Sequence, residues 1–476
     1  MILLTVNNLQ YYDDARVLTK AFYPSLEVGV GIMEGREVKK NIEITVEGLD
    51  VSVIIDGKCY KRRAVDDSRK YMHEAVKLAL YDALSATTGR VLPWGNLTGV
   101  RPTKIVMGML EEGNGDDEIR QYMYEHHQIS ERKLELSMEV AKRELELLKE
   151  IHYKDGYSLY IGIPFCPTTC LYCSFTSYPI GMWEKRSDEY VDALLKEMDF
   201  VAKAYKGKTL DTVYFGGGTP TTLTPKQLDR ILTKLYEKFD MSQVKELTVE
   251  AGRPDSVTKE KFQILKKHNV TRISINPQTM NQKTLDLIGR RHTVEQVKEA
   301  FLLARECGFD NINMDLIVGL PGEDIEDVRN TMEEVKKLGP DNLTVHSLAI
   351  KRAAALNLWK DKFSDSIHNT DEIIELTAKY AREMGLNPYY LYRQKNMAGN
   401  FENVGYAKNS MEGLYNILIM EEKQTIVALG AGASTKAVYP DGRIERCENV
   451  KDVTNYIARI DEMIERKRIF FKDFDF

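Results

Sequence analysis

The chain has 476 residues, of which 43% are hydrophobic and 29% are charged, and its formal net charge is −6 at pH 7. This length predicts two to four domains with ample material for a buried core, and the acidic balance gives no reason to expect nucleic-acid binding. No run approaches the roughly eighteen apolar residues of a membrane span, no signal peptide is recognisable, and six cysteines in a chain this long do not form a disulfide framework. We therefore expect a cytoplasmic protein that binds no membrane.

Residues 1–153 predict an α+β domain whose role the sequence does not state. Two alternating runs, Ile42–Glu47 and Val51–Ile55, are joined by a turn that contains glycine and predict a β-hairpin. Ser68–Ala86 places apolar residues at helical spacing, and the regular charges of Glu131–Ile151 predict a helix with a solvated face. The turn residues of Lys154–Tyr157 then mark a linker.

Residues 154–385 alternate short apolar runs with amphipathic helical windows. The predicted strands are Leu159–Ile163, Thr212–Phe215, Glu246–Glu250, Arg272–Asn276, Ile312–Ile317 and Leu343–Ser347. The predicted helices between them are Ser187–Tyr205, Pro225–Lys238, Lys259–His268, Thr293–Cys307 and Ile325–Leu338. Strands that alternate with helices imply right-handed βαβ units, so the fold class is α/β with a partial parallel (β/α)6 barrel. Chemistry in such folds lies at the carboxyl ends of the strands.

Residues 386–476 have a less regular pattern and predict a C-terminal cap over the mouth of the barrel. The cap contains a final apolar run at Thr425–Gly430 and a terminal helix near Val453–Arg466.

Three cysteines lie directly after the first predicted barrel strand, inside Tyr160–Cys173: Cys166, Cys170 and Cys173. Three thiolates fit three corners of a [4Fe–4S] cluster and leave one iron open to another ligand. A structural zinc site and unliganded core cysteines are the alternatives, but zinc usually completes four protein ligands. Neither a Cys nor a His follows within ten residues of the third cysteine. Three further cysteines are scattered and predicted to be structural: Cys59, Cys307 and Cys447.

Other polar and glycine motifs follow successive strands. Gly216–Pro220 follows the second strand, and glycines there let a ligand approach the backbone closely. Glu250 ends the third strand, and Gln278 follows the fourth, where its amide can bond to ribose hydroxyls. Arg290 offers a fork suited to a carboxylate, and Asp315 is an acid in an apolar strand, which is costly without a partner. Each has a structural alternative when taken alone, but their order along the strands predicts one site.

The chain from about Tyr157 to Thr435 resembles the coproporphyrinogen III oxidase/haem chaperone family of radical S-adenosylmethionine proteins. This resemblance implies a [4Fe–4S] cluster on the three cysteines and S-adenosylmethionine at the open iron. The positions that it assigns to the cofactor are Tyr160, Tyr172, Gly217, Gly218, Thr219, Glu250, Gln278, Arg290, Asp315, Ala349 and Ser434. Three of these are predicted to be catalytic: Tyr160, Glu250 and Arg290.

Two branches of this family differ in their activity. The oxidase carries a fourth cysteine two residues after the third, whereas this chain has Phe175 there, as in the haem chaperone branch. The chaperone's His-Asn-x-x-Tyr-Trp signature is not found in the cap, and Tyr392–Tyr406 is similar to the oxidase branch's Asn-x-x-Gly-Tyr stretch. The long N-terminal extension, Glu250–Asp255 and Val345–Arg352 resemble the HemZ-type branch, which is generally assigned as a second oxygen-independent coproporphyrinogen III oxidase.

The resemblance implies a porphyrin-biosynthetic oxidoreductase that decarboxylates two propionates of coproporphyrinogen III to vinyl groups. The alternative is a haem chaperone that binds haem and transfers it to apo-proteins. The implied partners are a tetrapyrrole and an electron donor such as flavodoxin or ferredoxin. A tetra-anionic substrate needs cations, and Lys351, Arg352 and Arg393 are candidates by position. His346 has two interpretations, as a structural histidine or as a substrate contact.

Overall fold

A computed structural model of the protein describes residues 1–24, 26–30, 37–349, 354, 356, 367–394 and 401–473. The chain divides into two compact units, Met1–Lys142 and Arg143–Phe476. The boundary lies within the helix Glu131–Leu148, upstream of the linker that the sequence predicts. The division therefore differs from the predicted three-part organisation of 1–153, 154–385 and 386–476.

The first unit is built on a five-stranded sheet. Its strands are β1 (Ile2–Val6), β2 (Val28–Gly29), β3 (Lys40–Glu47), β4 (Asp50–Ile55) and β5 (Lys58–Arg63). Their order in the sheet is β2-β1-β3-β4-β5, with β1 parallel to both neighbours and β3-β4-β5 antiparallel. The predicted hairpin is the β3-β4 pair. The helices of this unit that precede Glu131 are Tyr12–Phe22, Arg69–Thr88, Lys104–Glu111 and Asp116–His127.

The helix Arg69–Thr88 shows how local sequence sets its ends. The hydroxyl of Ser68 accepts a hydrogen bond from the backbone N–H of Tyr71, which satisfies one of the free donors of the first turn. Gly89 ends the helix in the left-handed conformation, with a φ of 66°, where glycine carries no steric cost. The face between these ends buries Val76 and Leu80 in the apolar core of the unit.

The second unit contains the parallel strands. Its strands are β6 (Tyr157–Ile163), β7 (Phe165–Cys166), β8 (Tyr178–Pro179), β9 (Leu210–Gly217), β10 (Glu246–Glu250), β11 (Arg272–Ser274), β12 (Ile312–Val318), β13 (Asn342–Ser347), β14 (Asn387–Tyr392), β15 (Asn403–Ala407), β16 (Thr425–Leu429), β17 (Ser434–Val438) and β18 (Ile444–Glu448). Eleven of them form one sheet in the order β14-β15-β13-β12-β11-β10-β9-β6-β16-β17-β18. The six predicted strands, β6 and β9 to β13, are adjacent and parallel, which confirms the α/β class with a partial barrel.

Helices follow the parallel strands as the sequence predicts. Among the described residues after 150, the α-helices are Ser187–Ala204, Pro225–Lys238, Lys259–Lys267, Gln282–Leu287, Val294–Glu306, Ile325–Leu338, Asp371–Glu383, Leu414–Glu421, Val453–Ala458 and Ile460–Asp473. Capping boxes fix the first turns of three of them, at Thr224, Thr293 and Asp324. Within the described residues, no helix is both long and apolar enough to cross a membrane.

Residues 386–476 continue the barrel sheet, where the sequence predicts a separate cap. β16 lies parallel to β6, with Val427 opposite Leu159, and β17 and β18 extend the sheet beyond it. Each residue of β16 is buried, which is typical of a parallel strand covered on both faces. The terminal helix is also divided, because the helix Val453–Ala458 ends at Arg459 before the next one begins.

Candidate functional site

One cavity of about 670 Å³ lies in the second unit, lined by residues of the parallel strands and of the loops that follow them. Its lining contains every residue that the sequence assigns to the cluster and to the cofactor. These are Tyr160, Cys166, Cys170, Tyr172, Cys173, Gly217, Gly218, Thr219, Glu250, Gln278, Arg290, Asp315, Ala349 and Ser434. The sheet therefore brings together residues as far apart in sequence as Tyr160 and Ser434, as expected where parallel strands end at one edge.

The cysteine loop is closed at its base by a short parallel pair of strands. Phe165 and Cys166 of β7 pair with Tyr178 and Pro179 of β8, so the chain leaves and returns at the same point. Within the loop, the backbone N–H of Cys173 donates to the carbonyl of Cys170 at 3.1 Å. All three cysteines are free thiols that line the cavity, and Cys170 is the most buried of them.

The chemistry of this loop fits an iron–sulfur cluster. Burial raises the pKa of the Cys166 and Cys173 thiols, so bound iron would displace their protons. Among the described residues, no three Cys, His, Asp or Glu side chains converge on a single metal ion. A cluster does not require such convergence, since each thiolate binds a different iron. The guanidinium of Arg253 lies against Cys170, where positive charge favours thiolates.

The glycine loop after β9 packs against the cysteine loop. Gly218 donates its backbone N–H to the carbonyl of Ile163 at 2.8 Å, and Thr219 donates to that of Phe165 at 2.6 Å. A Cβ at Gly218 would lie 2.5 Å from the carbonyl oxygen of Phe165, so only glycine permits this approach. The hydroxyl of Thr219 contacts the sulfur of Cys166 at 3.5 Å, which joins the two loops at the cluster ligand.

Gln278 has a conformation and an unsatisfied atom that suit ligand binding. Its φ is +69°, which a non-glycine residue adopts only when its surroundings enforce it. The backbone N–H of Gln278 donates to the carbonyl of Asp315, and its carbonyl accepts from Ile317, both at 2.9 Å. These bonds hold the backbone between β11 and β12, while the buried side-chain oxygen has no hydrogen-bond donor. A ligand hydroxyl would satisfy it.

Asp315 is an ionised acid at the cavity wall. Burial by itself raises its pKa, but the nearby imidazole of His346 and the hydrogen bond from Asn313 outweigh burial and hold the pKa below the ordinary value. The amide of Asn313 donates to its carboxylate at 2.7 Å. His346 also lines the cavity, and its Nδ1 lies 3.2 Å from the hydroxyl of Tyr392, so both its structural interpretation and its interpretation as a substrate contact stay predictions.

Arg290 is held by backbone carbonyls. Its guanidinium donates to the carbonyls of Asn276, Pro277 and Gly252, and the side chain is 5% exposed. The guanidinium, which the sequence predicts to bind a carboxylate, is thus hydrogen-bonded to the backbone of the protein itself. These bonds hold its positive charge in a fixed position beside the cysteine loop.

Glu250 lies beside a group of tyrosines. Its carboxylate accepts a hydrogen bond of 2.6 Å from the hydroxyl of Tyr214. Burial raises the pKa of Glu250 to about 7, although the bond from Tyr214 acts in the opposite direction. The ring of Tyr214 stacks on Tyr415 with centroids 4.5 Å apart, and Tyr160 stacks beside both at 6.3 Å. Burial and the charge of Glu250 raise the pKa of Tyr160, which keeps its phenol neutral.

Of the predicted substrate cations, Arg393 is the one that lies among the described residues, and it does not line the cavity. Arg393 is buried and absent from the lining, whereas its neighbours Tyr392 and Gln394 face the cavity. Arg393 directly follows Tyr392, the last residue of β14, and therefore lies outside the strand. Lys351 and Arg352 lie outside the described residues, as does Asn400 within the Tyr392–Tyr406 stretch.

The cavity lining includes residues that the sequence analysis did not assign. Tyr214 precedes Gly216 by two positions in β9, so strand alternation places both on one face and would have indicated it. Arg253 lies within the Glu250–Asp255 segment, but no local pattern ties it to a cysteine loop more than 80 residues away. For Tyr415, neither strand alternation nor a local sequence pattern indicates a place in the cavity.

The parallel barrel, its cysteine loop and the neighbouring glycine loop define a protein of the radical S-adenosylmethionine class. The model of the Radical SAM superfamily matches residues 160–335. A coproporphyrinogen III oxidase structure, HemN from Escherichia coli, has the same fold with a TM-score of 0.53 and 22% sequence identity, over 67% of this chain and 73% of that one.

Proteins with similar sequences show which family within the superfamily this chain belongs to. The oxygen-independent coproporphyrinogen-III oxidase-like protein HemZ of Bacillus subtilis is 40% identical over 404 residues, which are 84% of this chain and 81% of HemZ. The heme chaperone HemW of the same organism is 32% identical over 307 residues, which are 64% of this chain and 76% of HemW. This chain belongs to the family of radical S-adenosylmethionine proteins that contains HemZ, and the superfamily implies a [4Fe–4S] cluster and S-adenosylmethionine as its cofactors.

Proposed function

We propose that this protein is an oxygen-independent coproporphyrinogen III oxidase that converts two propionate side chains of a porphyrinogen to vinyl groups. The observation that carries the proposal is the long match to HemZ, which is named as oxidase-like and aligns with 84% of this chain. The collection of all predicted cofactor residues around one cavity supports it. In each conversion the propionate loses a hydrogen atom from its β-carbon, then carbon dioxide and one electron, which passes to an external acceptor.

The protein's own residues would position the reactants. Cys166, Cys170 and Cys173 would hold a cluster that, with S-adenosylmethionine, supplies a radical able to abstract hydrogen. Gln278 and Asp315 would hold the ribose of the cofactor through the unsatisfied amide oxygen and the ionised carboxylate. The glycine loop would let its backbone atoms approach the cofactor closely. Positioning of this kind supplies several kcal/mol of the barrier, roughly 7–11 in the best cases.

Tyr160, Glu250 and Arg290 are proposed as the catalytic residues. Tyr160 and Glu250 lie together at the tyrosine group, where Glu250 has a pKa of about 7 and is able to hold or release a proton near neutrality. Arg290 supplies a fixed positive charge next to the cysteine loop. An electron donor such as flavodoxin or ferredoxin is proposed to reduce the cluster.

A haem chaperone is the second candidate. Phe175, which stands where the oxidase branch has its fourth cysteine, favours it, as does the 32% identity to HemW. Phe175 is 68% exposed and lines the cavity, so an apolar ring is available to a flat macrocycle at this point.

Anaerobic turnover separates the two candidates. Protein reconstituted with iron and sulfide is incubated with S-adenosylmethionine, dithionite and coproporphyrinogen III, and the porphyrins are oxidised and separated by chromatography. We expect protoporphyrin together with two molecules of 5′-deoxyadenosine per molecule of product. The matched control is Cys170→Ala, which should give neither. Stoichiometric binding of haem without any vinyl product would contradict the oxidase and support the chaperone.

A further inference from the structure

The side chain of Arg253 lies against the cysteine loop. It is 3% exposed, and its Nη1 contacts the sulfur of Cys170 at 3.7 Å. The same nitrogen donates to the hydroxyl of Thr168 at 3.1 Å and to the carbonyl of Thr168 at 3.3 Å. One nitrogen of the guanidinium is therefore directed at the segment that carries the proposed cluster ligands, and at Cys170 in particular.

Asp255 fixes the orientation of this arginine. Its carboxylate accepts from Nε of Arg253 at 2.9 Å and from Nη2 at 2.8 Å, which is a bidentate pair. The hydroxyl of Ser256 donates to the backbone carbonyl of Arg253 at 2.6 Å and closes the turn. Because the fork is held on one side by Asp255, Nη1 is the nitrogen that remains for the cysteine loop.

Charge near Cys170 is positive overall. The guanidinium of Arg253 is balanced in part by Asp255, and Arg290 adds a second guanidinium that is bound by carbonyl oxygens. The potential of an iron–sulfur site depends on net charge and on hydrogen bonds to its sulfurs. A hydrogen-bond donor at a ligand sulfur and a nearby positive charge both stabilise the reduced cluster, which carries one more electron than the oxidised cluster.

We propose that Arg253 is a positioning residue that raises the reduction potential of the cluster through the sulfur of Cys170, and that Asp255 moderates this effect. The inference rests on the cysteine ligands of the proposed function, but not on the identity of the tetrapyrrole. The step concerned is the transfer of one electron from an external low-potential donor, with no bond made or broken and no proton taken up. The added negative charge is what the guanidinium stabilises.

Two substitutions with opposite expected signs test the proposal. Arg253→Gln keeps an N–H donor but removes the positive charge, so the potential should become more negative. Asp255→Asn leaves the arginine and removes its counter-charge, so the potential should become more positive. At the solution potential where the unaltered protein is half reduced, we expect the ratio of reduced to oxidised cluster to fall about tenfold in Arg253→Gln, which corresponds to about 59 mV for one electron.

The measurement is a redox titration of reconstituted protein, followed by electron paramagnetic resonance of the reduced cluster, without any tetrapyrrole. Arg253→Lys should lie closer to the unaltered protein than Arg253→Gln does. Arg305→Gln is the matched control, because Arg305 also pairs with an aspartate, Asp341, and neither residue lines the cavity. It should leave the potential unchanged.

The measured potentials either support or overturn the proposed role of Arg253. A more negative potential in Arg253→Gln together with a more positive potential in Asp255→Asn, with iron content retained, supports the proposal, and the reverse pair of shifts overturns it. Shifts of the same sign, or no shift in either, overturn it and reduce Arg253 to a structural contact. If Arg253→Gln fails to hold iron, the sign of the shift in Asp255→Asn decides alone. If the unaltered protein binds no iron, the ligand assignment of the proposed function fails, and iron analysis shows this separately.

Discussion

The two compact units differ in where they bury charged side chains, although the first unit also encloses Lys133. Met1–Lys142 has a continuous apolar core, in which residues such as Leu18, Ile44 and Leu80 are fully enclosed. Arg143–Phe476 has apolar layers as well, but around its cavity it also encloses charged groups, among them Arg272 and Arg290. Buried charge is costly without compensation, so a protein retains it where function requires it. The buried charges that line the cavity lie in the second unit, where the chemistry is proposed.

The largest expected effect comes from the cysteines of the second unit. Replacing Cys166, Cys170 or Cys173 by Ala should abolish iron binding, visible charge-transfer absorbance and cofactor cleavage, since each supplies one cluster ligand. Iron analysis and absorption spectroscopy measure the result. The matched control replaces Cys59, Cys307 and Cys447 together, none of which lines the cavity. Loss of iron in that triple variant would show that the ligands are misassigned.

The next effect concerns the cost of the buried acid Glu250. Its pKa of about 7 in the folded protein exceeds its unfolded value near 4.5, so the folded state binds the proton more tightly. Stability from this group is present at low pH and is lost as pH rises from about 4.5 through 7, by at most about 3 kcal/mol. Glu250→Gln should remove this loss, so urea unfolding should show the variant gaining stability relative to the unaltered protein between pH 5 and pH 8.

A carboxylate outside the cavity provides the comparison for Glu250. Glu260 is exposed on the helix Lys259–Lys267, and Glu260→Gln should give the same difference from the unaltered protein at both pH values. If the stability difference of Glu250→Gln from the unaltered protein is also the same at pH 5 and pH 8, the cavity does not raise the pKa of Glu250.

A smaller effect is expected for the cofactor contacts. Gln278→Ala and Asp315→Ala should retain iron, because neither is a ligand, and should bind S-adenosylmethionine about tenfold to a hundredfold more weakly. This loss corresponds to about 1–3 kcal/mol for one buried hydrogen bond. Anaerobic calorimetric titration measures it. Gln121→Ala, on an exposed helix of the first unit, is the control. Equal affinity for S-adenosylmethionine in all three variants would show that Gln278 and Asp315 do not contact the cofactor.

The smallest effect on cluster chemistry should follow removal of the first unit. Leu148 and Ile151 pack with Tyr389 and Ile417 of the second unit, so the shortened protein should begin at Arg143 and keep them. We expect unchanged iron content and unchanged slow cleavage of S-adenosylmethionine. If the first unit selects the substrate, only conversion of coproporphyrinogen III is lost. Loss of iron would show that the second unit is not self-sufficient.

Local patterns predicted much of the second unit. The helices Pro225–Lys238 and Ile325–Leu338 and the strand Glu246–Glu250 have the predicted bounds, because a cap and regular apolar spacing mark their ends. These bounds depend on interactions between residues close in sequence. The proposed cofactor positions are instead assigned by resemblance to a family, and the structure gathers them around one cavity.

Features that depend on distant pairing could not be predicted. The contact of Arg253 with Cys170 joins segments 83 residues apart. Tyr392, which pairs with Asn403 of β15, lines the cavity, whereas Arg393 directly after it does not, and nothing in the local sequence distinguishes the two positions. The apolar run at Thr425–Gly430 does not indicate which strand it joins.

The pairing of β16 with β6 has a consequence for synthesis of the protein. β6 precedes the cysteine loop directly, yet its neighbour on one side, residues Thr425–Leu429, is made more than 250 residues later. While the ribosome is still making the intervening segment, the three thiols have already been translated but this flank of the sheet is open. Contacts so distant in sequence form slowly, and unpaired strand edges are prone to aggregate. Assembly of the cluster is therefore expected to follow translation of β16.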